Sequence, residues 1–216
     1  MGVACAVTSL SASGCGDGGG DVGGCDGTSP PERTASCVAS FTPGLGAGYG
    51  QDAFPENVFG EPHGAGDLRG NGNDVLSLGK EGTIVVGFGS NTILDGEGAD
   101  FIVFENAFYA FGDPEKPFKE LAEVSVSADG LDWITFPCAG DIAPYQGCAG
   151  KTPVYANPDT SISAFDPAVA GGDAFDLGSV GVGEARFVRV RDRGEITVAP
   201  SAGFDLDAVA LLHSSQ

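Results

Sequence analysis

Positive charge is what this chain has least of. Ten lysines and arginines stand against thirty aspartates and glutamates in 216 residues, a formal net charge of −20. A nucleic-acid backbone would be repelled, so no nucleic-acid partner is expected. Histidine is scarce as well, with two residues, and no cysteines lie at Cys-x-x-Cys spacing, which argues against zinc and thioredoxin chemistry. The Gly-x-Ser-x-Gly elbow, the His-Glu-x-x-His pair and the Gly-x-x-x-x-Gly-Lys phosphate cradle are all missing. No apolar run approaches the ~18 residues that span a bilayer as a helix. Thirty-six glycines and thirteen prolines interrupt the chain too often for long helices. Apolar residues still make up 42%, enough for a core, so global disorder is not expected.

Carboxylates are abundant, and they are placed with a pattern. The turn Asp95-Gly96-Glu97-Gly98-Ala99-Asp100 runs directly into the apolar stretch Phe101-Ile102-Val103-Phe104, and Glu105 and Asn106 follow it. The habit recurs at Gly172-Asp173-Ala174-Phe175-Asp176 and at Gly203-Phe204-Asp205-Leu206-Asp207. Calcium takes six to eight oxygens from carboxylates, amides and backbone carbonyls. Strand ends gather at the rim of a sandwich, where distant segments meet, so Asp95, Asp100, Glu105, Asn106, Asp173, Asp176, Asp205 and Asp207 are the candidate calcium ligands, not all around one ion. Crowded and unneutralised there, a close pair would repel by about 4 kcal/mol at an effective dielectric near 20. The alternative is three solvated acidic turns. Paired carboxylates can also hydrolyse a glycosidic bond, but among thirty acids such pairs arise by chance, and His63 and His213 sit in a loop and near the C-terminus, poor places for a general base. No enzymatic activity is expected.

The beginning of the chain reads differently from the rest. Residues 1–14 form a short, small-residue, weakly apolar segment resembling a signal, although no basic residue precedes Arg33. Ala12-Ser13-Gly14-Cys15 resembles the lipobox of bacterial lipoproteins, which implies lipidation at Cys15. The glycine-rich tract behind it has the composition of a flexible linker, assigned to residues 15–40, with the domain proper at 41–216. The resemblance implies an extracellular or cell-envelope location, as an outer-membrane lipoprotein touching the membrane only through its anchor. With Cys5 in the signal-like segment, Cys25, Cys37, Cys138 and Cys148 remain, an even number that suits an oxidising compartment. Cys138 and Cys148 flank a polar loop that can close as one disulfide, and Cys25 with Cys37 can close another.

From residue 41 onward the chain reads as strands separated by glycine turns. Val75-Leu76-Ser77-Leu78, Thr83-Ile84-Val85-Val86-Gly87-Phe88 and the continuous apolar run 101–104 come first. Glu123-Val124-Ser125-Val126-Ser127 alternates and turns at Ala128-Asp129-Gly130 into Trp133-Ile134-Thr135-Phe136, a hairpin signature. The runs 186–191 and 207–212 complete the set, and short helical turns are expected only at 117–121 and 167–170. The pattern predicts an all-β, antiparallel β-sandwich. Trp133 is expected in the core. Tyr109 and Phe111, in a loop after Asn106, are a candidate sugar platform. Arg186, Arg189, Arg191 and Arg193 are expected to pair with neighbouring carboxylates, with Arg189 also a candidate ligand contact.

Val126-Ser127-Ala128-Asp129-Gly130-Leu131-Asp132-Trp133 resembles the Val-Ser-x-Asp-Gly-x-x-Trp hairpin of discoidin-type, galactose-binding-like jelly rolls. Ala185-Arg186-Phe187-Val188-Arg189-Val190 resembles the strand that follows it in those domains. Residues 41–213 as a whole are similar to a family of bacterial cell-surface proteins and lipoproteins. The resemblance implies a calcium-stabilised binding module for a glycan or another surface component. A ligand-free structural surface protein and a carboxylate-based glycosidase are the alternatives.

Overall fold

The computed structural model describes residues 25–67, 74–194 and 199–216. The signal-like segment 1–14, Cys15 and the linker as far as residue 24 lie outside the described residues.

Strands follow one another in chain order as β1 (Cys37–Thr42), β2 (Leu76–Ser77), β3 (Thr83–Gly87), β4 (Ile93–Leu94), β5 (Phe101–Phe104), β6 (Phe108–Tyr109) and β7 (Pro117–Phe118). Then come β8 (Ala122–Ser127), β9 (Ile134–Thr135), β10 (Asp173–Phe175), β11 (Glu184–Ala185), β12 (Phe187–Asp192), β13 (Asp205–Leu206) and β14 (Ala208–Leu211). The chain is all-β and antiparallel, a β-sandwich. One sheet has five strands in the order β1-β3-β12-β8-β9, and a second has three in the order β10-β5-β14. The pairs β2–β13, β4–β11 and β6–β7 stand outside them.

Alternation along the strands explains the layering. In the five-stranded sheet Ile84, Val86, Val124, Val126, Val188 and Val190 point inward and join one cluster with Phe101, Val103, Phe175, Val209 and Leu211 of the other sheet. Phe101 stacks on Phe175 with centroids 5.2 Å apart, and Phe136 meets Phe175 edge-on at 4.9 Å. The opposite face of the three-stranded sheet is covered too: Ile102, Phe104, Ala208 and Ala210 pack against Val154, Ala156, Ala164 and Ala170. β5 is therefore buried on both faces, as its unbroken apolar run predicts.

Helical structure among the described residues is limited to 3-10 turns at Glu56–Val58, Ala110–Gly112 and Leu177–Val180. Of the expected helical turns, Pro117–Phe118 is strand β7, while the Ala170 N–H does close a turn onto the Asp166 carbonyl at 2.9 Å.

The domain boundary at residue 41 is corrected. β1 begins at Cys37, Ala35 and Val38 are buried, and the Ala35 N–H donates to the Val209 carbonyl at 2.9 Å. Residues 25–40 belong to the sandwich because their apolar side chains complete its core and Cys25 is bonded to Cys37. Cys138 and Cys148 form the second disulfide, with a sequence separation of 10. Gly87 makes room for the first: a Cβ there would lie 2.9 Å from the Cys37 sulfur and 3.1 Å from that of Cys25.

Trp133 is the second correction. It is only half-buried and lies on the outer side of the five-stranded sheet, because β9 is a two-residue edge strand whose Ile134 and Thr135 are exposed. The core position falls instead to Phe136.

Replacing Phe101 by Ala is expected to cost about 3–5 kcal/mol, because its ring is fully buried between the sheets. Leu131→Ala, at a side chain 82% exposed, should stay within about 0.5 kcal/mol. Urea melts of both variants check the contrast.

Candidate functional site

Both ends of β5 carry a buried carboxylate. At the leading end Asp100 is fully buried and well provided for. It accepts from the Gly96 N–H at 2.8 Å and the Leu177 N–H at 2.7 Å, and His213 Nδ1 lies 2.9 Å from it. The Asp100 carbonyl also accepts from the Leu212 and His213 N–H groups at 2.7 and 3.2 Å. One residue thus ties the 95–100 turn, the Leu177–Val180 turn and the C-terminal segment together. Carboxylate oxygens of Asp95, Asp100 and Asp176 lie within 4.8 Å of one another, close enough to share a metal ion. Asp95 is exposed, and Asp176 accepts from the Ser179 N–H at 3.3 Å.

At the trailing end Glu105 is buried without such provision. It is 3% exposed, and its Oε2 has no hydrogen-bond partner. Burial drives its pKa well above the ordinary range, and Asp205, Glu120 and Asp173 add to the push; the Asn106 N–H opposes it. Glu120 is pushed up to about 8 by burial, with Asp205 and Asp192 contributing. Asp205 is raised by burial while hydroxyls of Ser77 and Ser201 pull it back. Asp173 alone in this group is neutralised, by Lys151 Nζ at 2.8 Å, with the Lys151 N–H and the Thr152 hydroxyl also donating.

Asp207 belongs to neither group. Both of its oxygens accept from the His63 N–H, at 3.1 and 3.3 Å, and burial pushes it up to about 8 with Asp74 adding. The eight expected metal ligands therefore fall into separate places. Asp95, Asp100 and Asp176 meet; Glu105 feels the charges of Asp205 and Asp173 and takes the Asn106 backbone N–H; Asp207 stands apart. Glu120, Asp192 and His213 were not legible as site residues. Glu120 and Asp192 lack the glycine-acid turn signal, Asp192 being flanked by Arg191 and Arg193. His213 is held by β14 and by the bridge from Ile93 to Ser214 rather than lying in a loose terminus.

The aromatic platform divides. Tyr109 lines a groove with Tyr145, Lys151 and Thr152, which Phe111 does not line. Phe111 is 100% exposed at the tip of the β6–β7 hairpin, with a positive φ of 60°, and the hairpin's base is fixed by Phe108 stacked on Phe118 at 4.9 Å.

Arg189 stands on the outer face of the five-stranded sheet. Its guanidinium lies 4.3 Å from the Trp133 ring centroid and donates to the Ser125 hydroxyl at 3.2 Å. Together they line a groove of about 680 Å³ with Phe187, Val85, Thr83, Ser40 and Asp26. The expectation that the arginine run pairs with carboxylates holds for Arg193, 3.3 Å from Glu123. Arg189 takes an aromatic face instead, because the residues around it on the outer face are Val85 and Ser125.

No family model matches this chain, and no curated protein was found to resemble it.

Glu120 and Asp207 give a pH dependence of known sign. Raised pKa values mean that the folded state holds protons which the unfolded chain releases, so stability falls as pH rises from about 5 to about 8. In chelator the melting temperature is expected to drop across that window, and Glu120→Gln should flatten part of the slope. A melting temperature that climbs with pH there would contradict the assignment.

Proposed function

We propose that this chain is an extracellular binding module of the cell surface. In this reading it is a jelly-roll, galactose-binding-like sandwich, stabilised by calcium, that recognises a glycan or another surface component. The observation that carries the reading is the open groove on the outer face of the five-stranded sheet, where Trp133, Phe187 and Arg189 meet. Half-exposed aromatic rings beside a guanidinium supply stacking and directional donors, which are what a sugar ring asks of a protein.

Binding is favoured over glycoside hydrolysis by burial. The carboxylates with raised pKa, Glu105, Glu120, Asp205 and Asp207, are each 5% exposed or less. A general acid must reach the glycosidic oxygen, and a polymer cannot reach these.

The calcium component rests on Asp95, Asp100 and Asp176, whose carboxylate oxygens lie within 4.8 Å of one another. They would hold such an ion as oxygen ligands of the hard type that calcium takes. The ion would cancel their mutual repulsion and cross-link the 95–100 turn to the start of the Leu177–Val180 turn. Asp100 is already oriented by the Gly96 and Leu177 N–H groups. The buried Glu105 oxygen without a donor is accommodated differently, by holding a proton.

The two disulfides fit an oxidising compartment. No helix among the described residues is long and apolar enough to cross a membrane, and an anchor at Cys15 is part of the proposal. Cys15→Ser should then move the protein out of the membrane fraction; unchanged fractionation would remove the anchor from the reading.

Calcium and chelator melts at pH 7.5 test the cation. Wild type should gain about 2.7 kcal/mol at a hundredfold excess over Kd. Asp95→Asn, at an exposed ligand, should leave the melting of the chelated protein nearly unchanged and lose most of the calcium response. Equal melting of wild type in both solutions with no calorimetric uptake would remove calcium from the reading. A glycan array with wild type and Trp133→Ala tests the binding itself. No retained glycan would replace the binding module by a structural surface protein.

A further inference from the structure

The groove on the five-stranded sheet has a distinctive charge layout. β12 alternates Phe187, Arg189 and Arg191 outward with Val188 and Val190 inward, so two arginines lie in line on one face of the sheet's central strand. Arg189 pairs across with Val85 of β3 and Ser125 of β8, and Arg191 with Thr83 and Glu123. Glu123 is taken by Arg193 at 3.3 Å. Neither Arg189 nor Arg191 has a carboxylate within ion-pair distance among the described residues. Arg189 still feels the charge of Glu123, yet in a chain with thirty acids and ten bases an open face on which no described carboxylate closes an ion pair with it is unexpected on charge alone.

Arg189 is also held ready. Trp133 stacks on it and Ser125 takes one of its N–H groups, so the fork is fixed while its remaining donors stay uncommitted. The rim carries the opposite sign. Asp26 accepts from the Thr28 N–H and hydroxyl, and Asp129 from the Leu131 and Asp132 N–H groups at 2.8 and 3.0 Å. Both turns hold their carboxylates below the usual range, so the rim stays anionic. The Cys25–Cys37 disulfide fixes the Asp26 side against the sheet, and Gly130 leaves the Phe187 ring edge uncovered, since a Cβ there would sit 3.7 Å from it.

A positive centre, aromatic walls and fixed acceptors at the rim describe one kind of occupant. A densely sulfated or phosphorylated polymer would put anions on Asp26 and Asp129. A neutral sugar would leave the arginine fork unused. A ring with one carboxylate and several hydroxyls satisfies all three features: its carboxylate takes the planar fork, its apolar face meets the rings and its hydroxyls donate to the rim. We propose that this groove binds a uronic-acid-bearing saccharide, with Arg189 the carboxylate-binding residue and Trp133 and Phe187 the walls. This rests on the binding-module reading and names the ligand class of that site.

The test uses the chain's one tryptophan, Trp133, as a reporter inside the groove. Fluorescence titration of the disulfide-intact protein with a galacturonate trisaccharide is compared with its carboxyl-reduced neutral counterpart. The acidic sugar should bind about tenfold more tightly, the difference expected of one charge-assisted contact. Arg189→Gln should erase that preference with an unchanged melting temperature, and Arg189→Lys should not restore it, because an ammonium lacks the fork. The methyl-esterified trisaccharide should bind wild type as weakly as the neutral counterpart, and this serves as the test of the carboxylate contact should the Arg189 variants fail to fold. Equal affinity for the two sugars overturns the uronate assignment and leaves the binding module standing, as does tighter binding of a heavily sulfated glycan. Failure of both sugars, with no glycan retained on the array, overturns the binding module as well.

Discussion

Burial of β5 on both faces is the constraint from which the rest follows. Phe101 and Val103 enter the core between the sheets, and Ile102 and Phe104 enter the second cluster on the opposite side. A four-residue strand so enclosed cannot release its neighbours to solvent. Asp100 and Glu105 are therefore drawn inside with it, at 0% and 3% exposure. Apolar burial worth about 1.5–3 kcal/mol for each large side chain outweighs the discomfort of the flanking carboxylates. The two ends are relieved differently. Around Asp100 the chain supplies donors from three segments, and the carboxylate becomes a clasp. Around Glu105 it supplies more acid, and relief comes from holding a proton. The same hydrophobic demand thus creates one structural knot and one buried, proton-holding carboxyl group.

The five-stranded sheet shows the complementary situation, because only one of its faces is enclosed. Its inward valines meet the core, and the outward positions on the same strands are free to carry Ser125, Arg189 and Phe187 without loss of packing. What would ordinarily be a solvated polar face is bounded instead by a disulfide-clipped segment on one side and Trp133 on the other. Gly87 is the local condition for this arrangement, since no larger residue leaves space for both sulfurs over β3. Stability and the proposed recognition are consequently lodged in different layers, the enclosed apolar clusters around β5 and the outer face around β12.

How much of this was legible follows from which signals are local. The strands at 83–88, 101–104, 123–127, 186–191 and 207–212 were visible because periodicity and turn residues are properties of short windows. The cysteine pairs were visible because only a few partners remained. Trp133 was misplaced for a tertiary reason: a hairpin alternation does not say which face is inward, and an edge strand of two residues leaves its flanks outside. The tract before residue 41 looked like linker by composition, yet Ala35 and Val38 are core residues that two glycine-rich neighbourhoods concealed. The carboxylates clustered at strand ends as expected, but which of them meet is set by long-range pairing. Glu120 lies near Glu105 only because the chain returns to β8, and no window of sequence contains that fact. Arg189 illustrates the same limit from the other side, since an acid-rich composition suggested ion pairs and the cross-strand neighbours happened to be Val85 and Ser125.

A net charge of −20 and a groove suited to a carboxylate are compatible because the two act over different distances. At physiological ionic strength exposed charges are screened beyond about 8 Å, so an approaching ligand feels chiefly what lines the groove once it arrives. Far from the surface, the acidic excess disfavours densely charged polymers, for which many phosphates or sulfates would need to be brought close together. A sparsely charged saccharide loses little on approach and regains it at Arg189, where a fork stacked on Trp133 is already oriented and little side-chain freedom remains to be lost. On the proposed reading the acidic surface would act as a filter on charge density while Arg189 sets the local chemistry. Scarcity of positive charge, the first feature of the chain, is then what would give that arginine its selectivity.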